Sequence, residues 1–425
     1  MPGPDRRPED DGDAADAYPG DVVALARELV RIPSENPPGA ERAVAEYVVD
    51  WARAHGLDAE LLDTPGYPER PNAVVRVGGS TGSDRDDADG ATGSPTLVLN
   101  GHTDVVPAGD PDAWTHDPYA ADVVTERDDA GDERGVLYGR GSADMKTGLA
   151  LALVTAERFA ARIASGDVDG ALVVHAAAGE ETGIPGTRTC IDAGDGGDCA
   201  IVLEPTDVRV ATSAKGVVTY RIVVRGESTH ASHPDEGANA IDAARVLFDR
   251  VDDYDADLRE RADDLVGRGY ASVTSVEAGT DGNMGVIPDA CEFLLDRRVL
   301  PGESIEAVDA EVDDLLAAAA RDDGVDADRE TVQYYESASI PPDHSLAELV
   351  REETGDRAPS DPWGMTAATD AREFVAAGVP AVVWGPGSLS QAHTVDEHVA
   401  LDEARDALGV LESVVERILD GDLEE

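Results

Sequence analysis

The chain has 425 residues, with 34 lysine and arginine against 89 aspartate and glutamate, a formal net charge of −55 and three cysteines. That length can bury more than one core, and 41% hydrophobic residues is too many for a disordered acidic tail. No apolar run reaches the roughly 18 residues of a membrane span, and so negative a chain repels nucleic acid and anionic lipid, because phosphates need a cationic face.

Residues 1–21 are acidic and Pro/Gly-rich, without the apolar centre of a signal peptide. They are expected to be a flexible lead-in to a soluble, cytoplasmic protein. Apolar spacing predicts helices over 22–31 and 40–55 and a short strand over 73–77. Segment 78–95 and segment 126–135 are rich in Gly, Ser and Asp and read as solvated insertions.

The next predicted elements carry the chemistry. Strand 96–100 is followed by Gly-His-Thr-Asp, which supplies His102 and Asp104. Asp144 stands just ahead of a buried helix predicted over 145–161. Strand 171–176 leads into Glu180 and Glu181, and strand 200–203 into Glu204. Brief apolar strands separated by helices indicate an α/β domain with a mostly parallel sheet.

The middle of the chain changes pattern. Strand 217–225, helix 238–251, strands 272–277 and 291–297, helix 305–319 and strand 331–335 make a β-α-β-β-α-β order. This predicts a small ferredoxin-like domain at 213–338, inserted into an α/β domain formed by 22–212 and 339–425. A last strand at 381–384 then opens a Gly/Pro loop ending in His393.

Ligands of open α/β sheets sit at the carboxyl ends of the strands, so these segments aim polar side chains at one crevice. His102, Asp144, Glu181, Glu204 and His393 form an N/O donor set without thiolate; the cysteines, odd in number and lacking CxxC spacing, add no ligand. Five donors exceed the needs of one catalytic zinc and suit two ions bridged by Asp144. Asp104, two residues beyond His102, is placed to orient its imidazole, and Glu180 is the candidate general base. His55, His116, His175, His344 and His398 read as ordinary surface or core residues.

Charge type adds a further expectation. Lys146 and Lys215 are the only lysines; every other basic side chain is arginine. Carboxylate-rich, lysine-poor surfaces suit concentrated salt, where repulsion is screened within about 3 Å at 1 M. A protein of a salt-accumulating cell is expected.

The strings GHTDVVP (101–107), GRGSADMKTG (139–148), GEETG (179–183), LEPT (203–206), THASHPDEGANAID (229–242) and GPGSLSQAHTVDE (385–397) resemble one family. It is the di-zinc amidohydrolase and peptidase family of acetylornithine deacetylase, succinyl-diaminopimelate desuccinylase, aminoacylases and zinc dipeptidases. The likeness runs from about residue 20 nearly to the end of the chain. It implies two zinc ions, one held by His102 and Glu204, the other by Glu181 and His393, with Asp144 bridging, Asp104 orienting and Glu180 as base. Cobalt and manganese tolerate the same donors.

The resemblance also implies that the insertion is a lid and dimerisation domain, so a homodimer is expected. His230, in THAS, would stabilise the oxyanion, often across the dimer interface; otherwise it caps a lid helix. Arg298, in DRRVLPG, would hold a substrate α-carboxylate or stand in a structural ion pair. Family members carry Asn directly before the hydrophobic-x-Pro of GVIP; here Gly285 takes that place and Asn283 lies two residues earlier, so its contact with substrate stays open. The expected reaction is hydrolysis of a linear amide, deacylating an N-acyl amino acid. The alternatives are a zinc dipeptidase or aminopeptidase on the same scaffold, and a catalytically silent binding protein of this fold.

Overall fold

The computed structural model of the chain describes residues 21–79, 94–127, 130–279 and 284–423. Residues 1–20, most of the insertion expected at 78–95, and Asn283 lie outside the described residues. Asp21, expected within the flexible lead-in, is instead the N-cap of helix Val22–Val30, its carboxylate accepting from the Val23 N–H at 3.1 Å.

A nine-stranded sheet organises the large domain. At its centre Ala171–Ala177, Thr96–His102, Cys199–Val202 and Ala381–Val383 run parallel, in that order. The flanks are antiparallel: Asp58–Thr64 and Tyr67–Val77 on one side, Ala211–Ala214 and Ala338–Ser339 on the other. Both faces are covered, which is why the central strands are continuously apolar. Leu97 and Leu99 enter the core shared with helices Val22–Val30, Arg42–Ala54, Thr147–Ser165 and Leu401–Leu419, while Val98 points to the opposite core with Phe374.

The segment expected as a solvated insertion at 126–135 is exposed or half-buried over its described residues, but its ends belong to paired strands. Asp122–Arg127 and Glu133–Tyr138 pair as a hairpin, which His398–Ala400 extends. Its polar composition reflects an exposed outer strand, while Val136 and Leu137 bury the inner one. The predicted helix at 145–161 begins at Thr147, after a turn over Ser142–Lys146.

The inserted domain has four antiparallel strands, ordered Tyr270–Ala278, Ala290–Val299, Gly216–Arg225, Asp326–Tyr335. Helices Ala240–Leu258 and Ile305–Asp323 close its core, in which Tyr220 and Ile222 meet Leu247 and Val312. Short strands Ala211–Ala214 and Ala338–Ser339 pair beside the two crossovers. Among the described residues no helix is long and apolar enough to cross a membrane.

One core histidine has a consequence for stability. His175 is fully buried, its Nε2 lies 3.0 Å from the Asp195 carbonyl oxygen, and its ring stacks on Phe374. Burial pushes its pKa down to about 4, against an opposing pull from Asp195. Unfolded histidine titrates near 6.5, so below that pH the unfolded chain binds a proton the folded chain refuses. The stabilisation is therefore complete above about 6.5 and is lost as pH falls toward 4, roughly 2 kcal/mol of it between pH 7 and 5. His175→Gln retains an amide donor without titrating. Denaturant unfolding should show the variant losing about 2 kcal/mol less than the parent over that interval; parallel pH profiles would contradict the assignment.

Candidate metal centre

Donor side chains gather where the parallel strands end. His102 closes its strand, Glu204 follows Cys199–Val202, Glu181 lies in the turn after Ala171–Ala177, and His393 in the loop after Ala381–Val383. Asp144 occupies the turn before helix Thr147–Ser165. Its Oδ1 is 3.1 Å from His102 Nε2, and its Oδ2 is 3.5 Å from His393 Nε2. His102 Nε2 is 3.9 Å from Glu204, and His393 Nε2 is 3.1 Å from Glu181. One atom from each of His102, Asp144 and Glu181 lies within 4.8 Å of the others. The two oxygens of one aspartate thus face two half-sites, each with one imidazole and one glutamate.

The half-sites differ in exposure. The His102 side chain is 2% exposed and that of His393 54%, so the second imidazole stands at the rim, on a backbone with φ +62°. Burial raises Glu204 well above the usual carboxylate range, and neighbouring Asp144 raises it further; burial also raises Glu181. Burial opposes charge on His102 too, but Asp104, Asp144 and Glu204 outweigh it and hold that imidazole well above its ordinary value. Three desolvated carboxylates around two imidazoles repel one another, and divalent cations would relieve this. The donor set is all nitrogen and oxygen, so it fits zinc, cobalt or manganese.

Backbone hydrogen bonds set the donors in place. The Asp104 carboxylate accepts from the N–H groups of Gly179, Glu180 and Glu181 at 3.0–3.1 Å, and from Asn36 at 2.8 Å. It anchors the glutamate turn directly. Toward His102 the nearer group is the Asp104 carbonyl oxygen, 2.9 Å from Nδ1, against 3.5 Å for the carboxylate. Buried Glu397 does the same for Asp144, accepting from the N–H groups of Gly141, Ala143 and Asp144 at 2.9–3.0 Å and from Arg140 at 2.6 Å. Gly179 begins the glutamate turn at φ +83°, where a Cβ would sit 2.3 Å from Ile184.

Glu180 stands beside the donors. Its side chain is 11% exposed and its Oε1 accepts from Arg372 Nη1 at 2.9 Å. Burial pushes its carboxyl up to about 8, while the Arg372 guanidinium pulls down and Asp370 pushes up. Glu180 and the five donors line one cavity of about 420 Å³, closed by residues 365–369, Leu389, Ala392 and Arg298.

Arg298 does two things at once: it lines the cavity and pairs with Asp296 at 2.9 Å. Its neighbour Arg297 points to the other face of the strand and is fully buried against Glu303 and Tyr254. His230 is not brought to this cavity. It is exposed on a two-residue strand paired with Val286–Ile287, its Nδ1 2.7 Å from Ser232 Oγ. Both lysines are buried: Lys146 Nζ donates to the Ile32 carbonyl, its pKa pushed down to about 7 by burial, and Lys215 Nζ lies over Tyr270.

Sequence reasoning missed Asn36, Tyr335, Arg372 and Glu397. Glu397 ends the string GPGSLSQAHTVDE, so its motif position was a usable signal. For Arg372 and Tyr335, 192 and 155 residues from Glu180, no local pattern offered one.

Comparison with known proteins supplies the family and the fold. The family described as peptidase family M20/M25/M40 matches residues 98–417. The acetylornithine deacetylase of Shigella sonnei (strain Ss046) is 30% identical over 395 residues, 89% of this chain and 92% of that protein. An M20 family metallo-carboxypeptidase from Sulfolobus solfataricus superposes with a TM-score of 0.71 at 16% identity, covering 93% of this chain and 99% of that one. A Bacillus subtilis protein described as a dinuclear metal-binding peptidase of the M20 family gives 0.61 at 17%, covering 94% and 98%.

Proposed function

The chain belongs to peptidase family M20/M25/M40, a family of hydrolases, and from that premise we propose that it is a two-metal deacylase hydrolysing the linear amide of an N-acyl amino acid. One observation carries the proposal: the two oxygens of Asp144 face separate His/Glu half-sites, with a buried carboxylate, Glu180, lining the same cavity. Similarity to an acetylornithine deacetylase over 89% of the chain supports an acetylated amino acid as substrate.

His102, Glu204 and one oxygen of Asp144 would hold one cation, and His393, Glu181 and the other oxygen the second. When bound, such ions supply Lewis acidity, lowering the pKa of the attacking water and polarising the carbonyl. Glu180 takes the proton from the water as its oxygen bonds to the carbonyl carbon. It then delivers that proton to the nitrogen as the C–N bond breaks, leaving a carboxylic acid and an amine. Arg298 would grip the α-carboxylate at the cavity wall through paired N–H donors. His230 of the partner subunit would reach the oxyanion in a homodimer formed through the inserted domain, in keeping with its exposure outside its own cavity.

The deciding assay is a panel of N-acetyl- and N-succinyl-amino acids beside simple dipeptides, run in molar KCl with added zinc, cobalt or manganese. Preferred turnover of N-acyl amino acids supports the proposal. Turnover of dipeptides alone would make the protein a dipeptidase.

We also propose that it works in a salt-accumulating cytoplasm. Both lysines are interior, so exposed side-chain ammonium groups are absent and the permanently charged basic groups of the surface are arginines. Lowering KCl from about 2 M to 0.1 M lengthens the screening distance from about 2 to 10 Å and exposes the net charge of −55 to its own repulsion. Loss of helical circular dichroism and of activity is expected on that dilution; an unchanged Tm would overturn the idea.

A further inference from the structure

We propose that Arg372 and Tyr335 are positioning residues that clamp Glu180 from two sides, and that Tyr335 thereby registers the base to the inserted domain. The inference rests on Glu180 being the base. Arg372 is 6% exposed and lies in the first turn of helix Ala371–Ala376. Its guanidinium meets Glu180 Oε1 at 2.9 Å, Asp370 at 3.2 Å and Glu373 at 3.2 Å. A planar fork held by two further carboxylates cannot follow Glu180 if it swings, so the glutamate takes up the direction the fork dictates.

Tyr335 completes the clamp from another domain. It is the last residue of strand Asp326–Tyr335, held there by pairing with Val217. Its phenol donates to the Glu180 carbonyl oxygen at 2.9 Å, and its ring lies 4.3 Å below the Arg372 guanidinium. Glu180 is thus gripped at its side chain by the large domain and at its peptide by the insertion. A displacement of the insertion would move the base relative to the metal donors. Small misplacements of a catalytic group are felt in turnover rather than in substrate binding.

Four single variants and one double variant test this in the full-length, metal-loaded protein. Tyr335→Phe removes one hydroxyl and should lower kcat about tenfold, with KM within twofold and with metal content and Tm at parental values. Arg372→Lys keeps the charge without the fork and should lower kcat by a similar factor; Arg372→Met should lower it by roughly 100-fold. On a Glu180→Gln background Tyr335→Phe should cost nothing further, because there is no base left to position. If Glu180→Gln is inactive while Tyr335→Phe and Arg372→Lys keep parental kcat, the positioning role is overturned and the base assignment survives. If Glu180→Gln itself turns over normally, the base assignment fails and takes this inference with it.

Discussion

Replacing Glu180 by Gln is expected to lower kcat by about 10²- to 10⁴-fold while the protein keeps its fold and metal content. Glutamine matches glutamate in length, and its carbonyl oxygen can still accept from Arg372 Nη1, which now holds Oε1 at 2.9 Å. What disappears is the ability to take and return a proton. The main-chain anchors also survive, because the Glu180 N–H donates to Asp104 and its carbonyl accepts from Tyr335 whatever the side chain. Metal analysis and kinetics on one preparation give the check. A variant within threefold of parental kcat would remove Glu180 from the mechanism; loss of metal with activity would make it a ligand instead.

The second large effect is expected at Asp144. Asp144→Asn leaves one carbonyl oxygen where two carboxylate oxygens now face His102 and His393 at 3.1 and 3.5 Å. Bound metal should fall from two ions per chain to one or none after dialysis, and kcat/KM by at least about 10³-fold. Burial pushes the Asp144 carboxyl up, but His102 and His393 outweigh it and keep it below the usual range, so the aspartate is charged at neutral pH and its loss removes real negative charge. Added zinc is expected to raise the parent's Tm, since an ion bound only by the folded chain stabilises it by mass action, and the same substitution should cut that rise. Retention of two ions with ordinary turnover would overturn the bridging role.

The two predictions draw on different kinds of information. The candidate donors were legible because His102, Glu181, Glu204 and His393 lie at the end of an apolar strand or in the connection that leaves it, and Asp144 lies in the turn ahead of a buried helix; the strand ends of a parallel sheet have one place to point. The tandem arginines show the limit: strand alternation sends Arg297 inward and Arg298 to the cavity, yet which parity faces the site depends on the packing of the whole inserted domain. Polarity at 126–135 gave the solvation but not the strands, because the exposed ends of a hairpin have the composition of a loop.

From residues alone came the α/β class, the β-α-β-β-α-β insertion and the five metal-competent side chains, because short-range periodicity and adjacency encode them. The antiparallel flanks of the sheet, the Glu397 cradle under Asp144 and the Arg372–Tyr335 clamp on Glu180 were decided only by tertiary structure. The partners in the Glu397 cradle and in the Glu180 clamp lie 155 to 257 residues apart. A contact across that distance is made by the packing of whole layers, and it leaves no spacing in the chain to read.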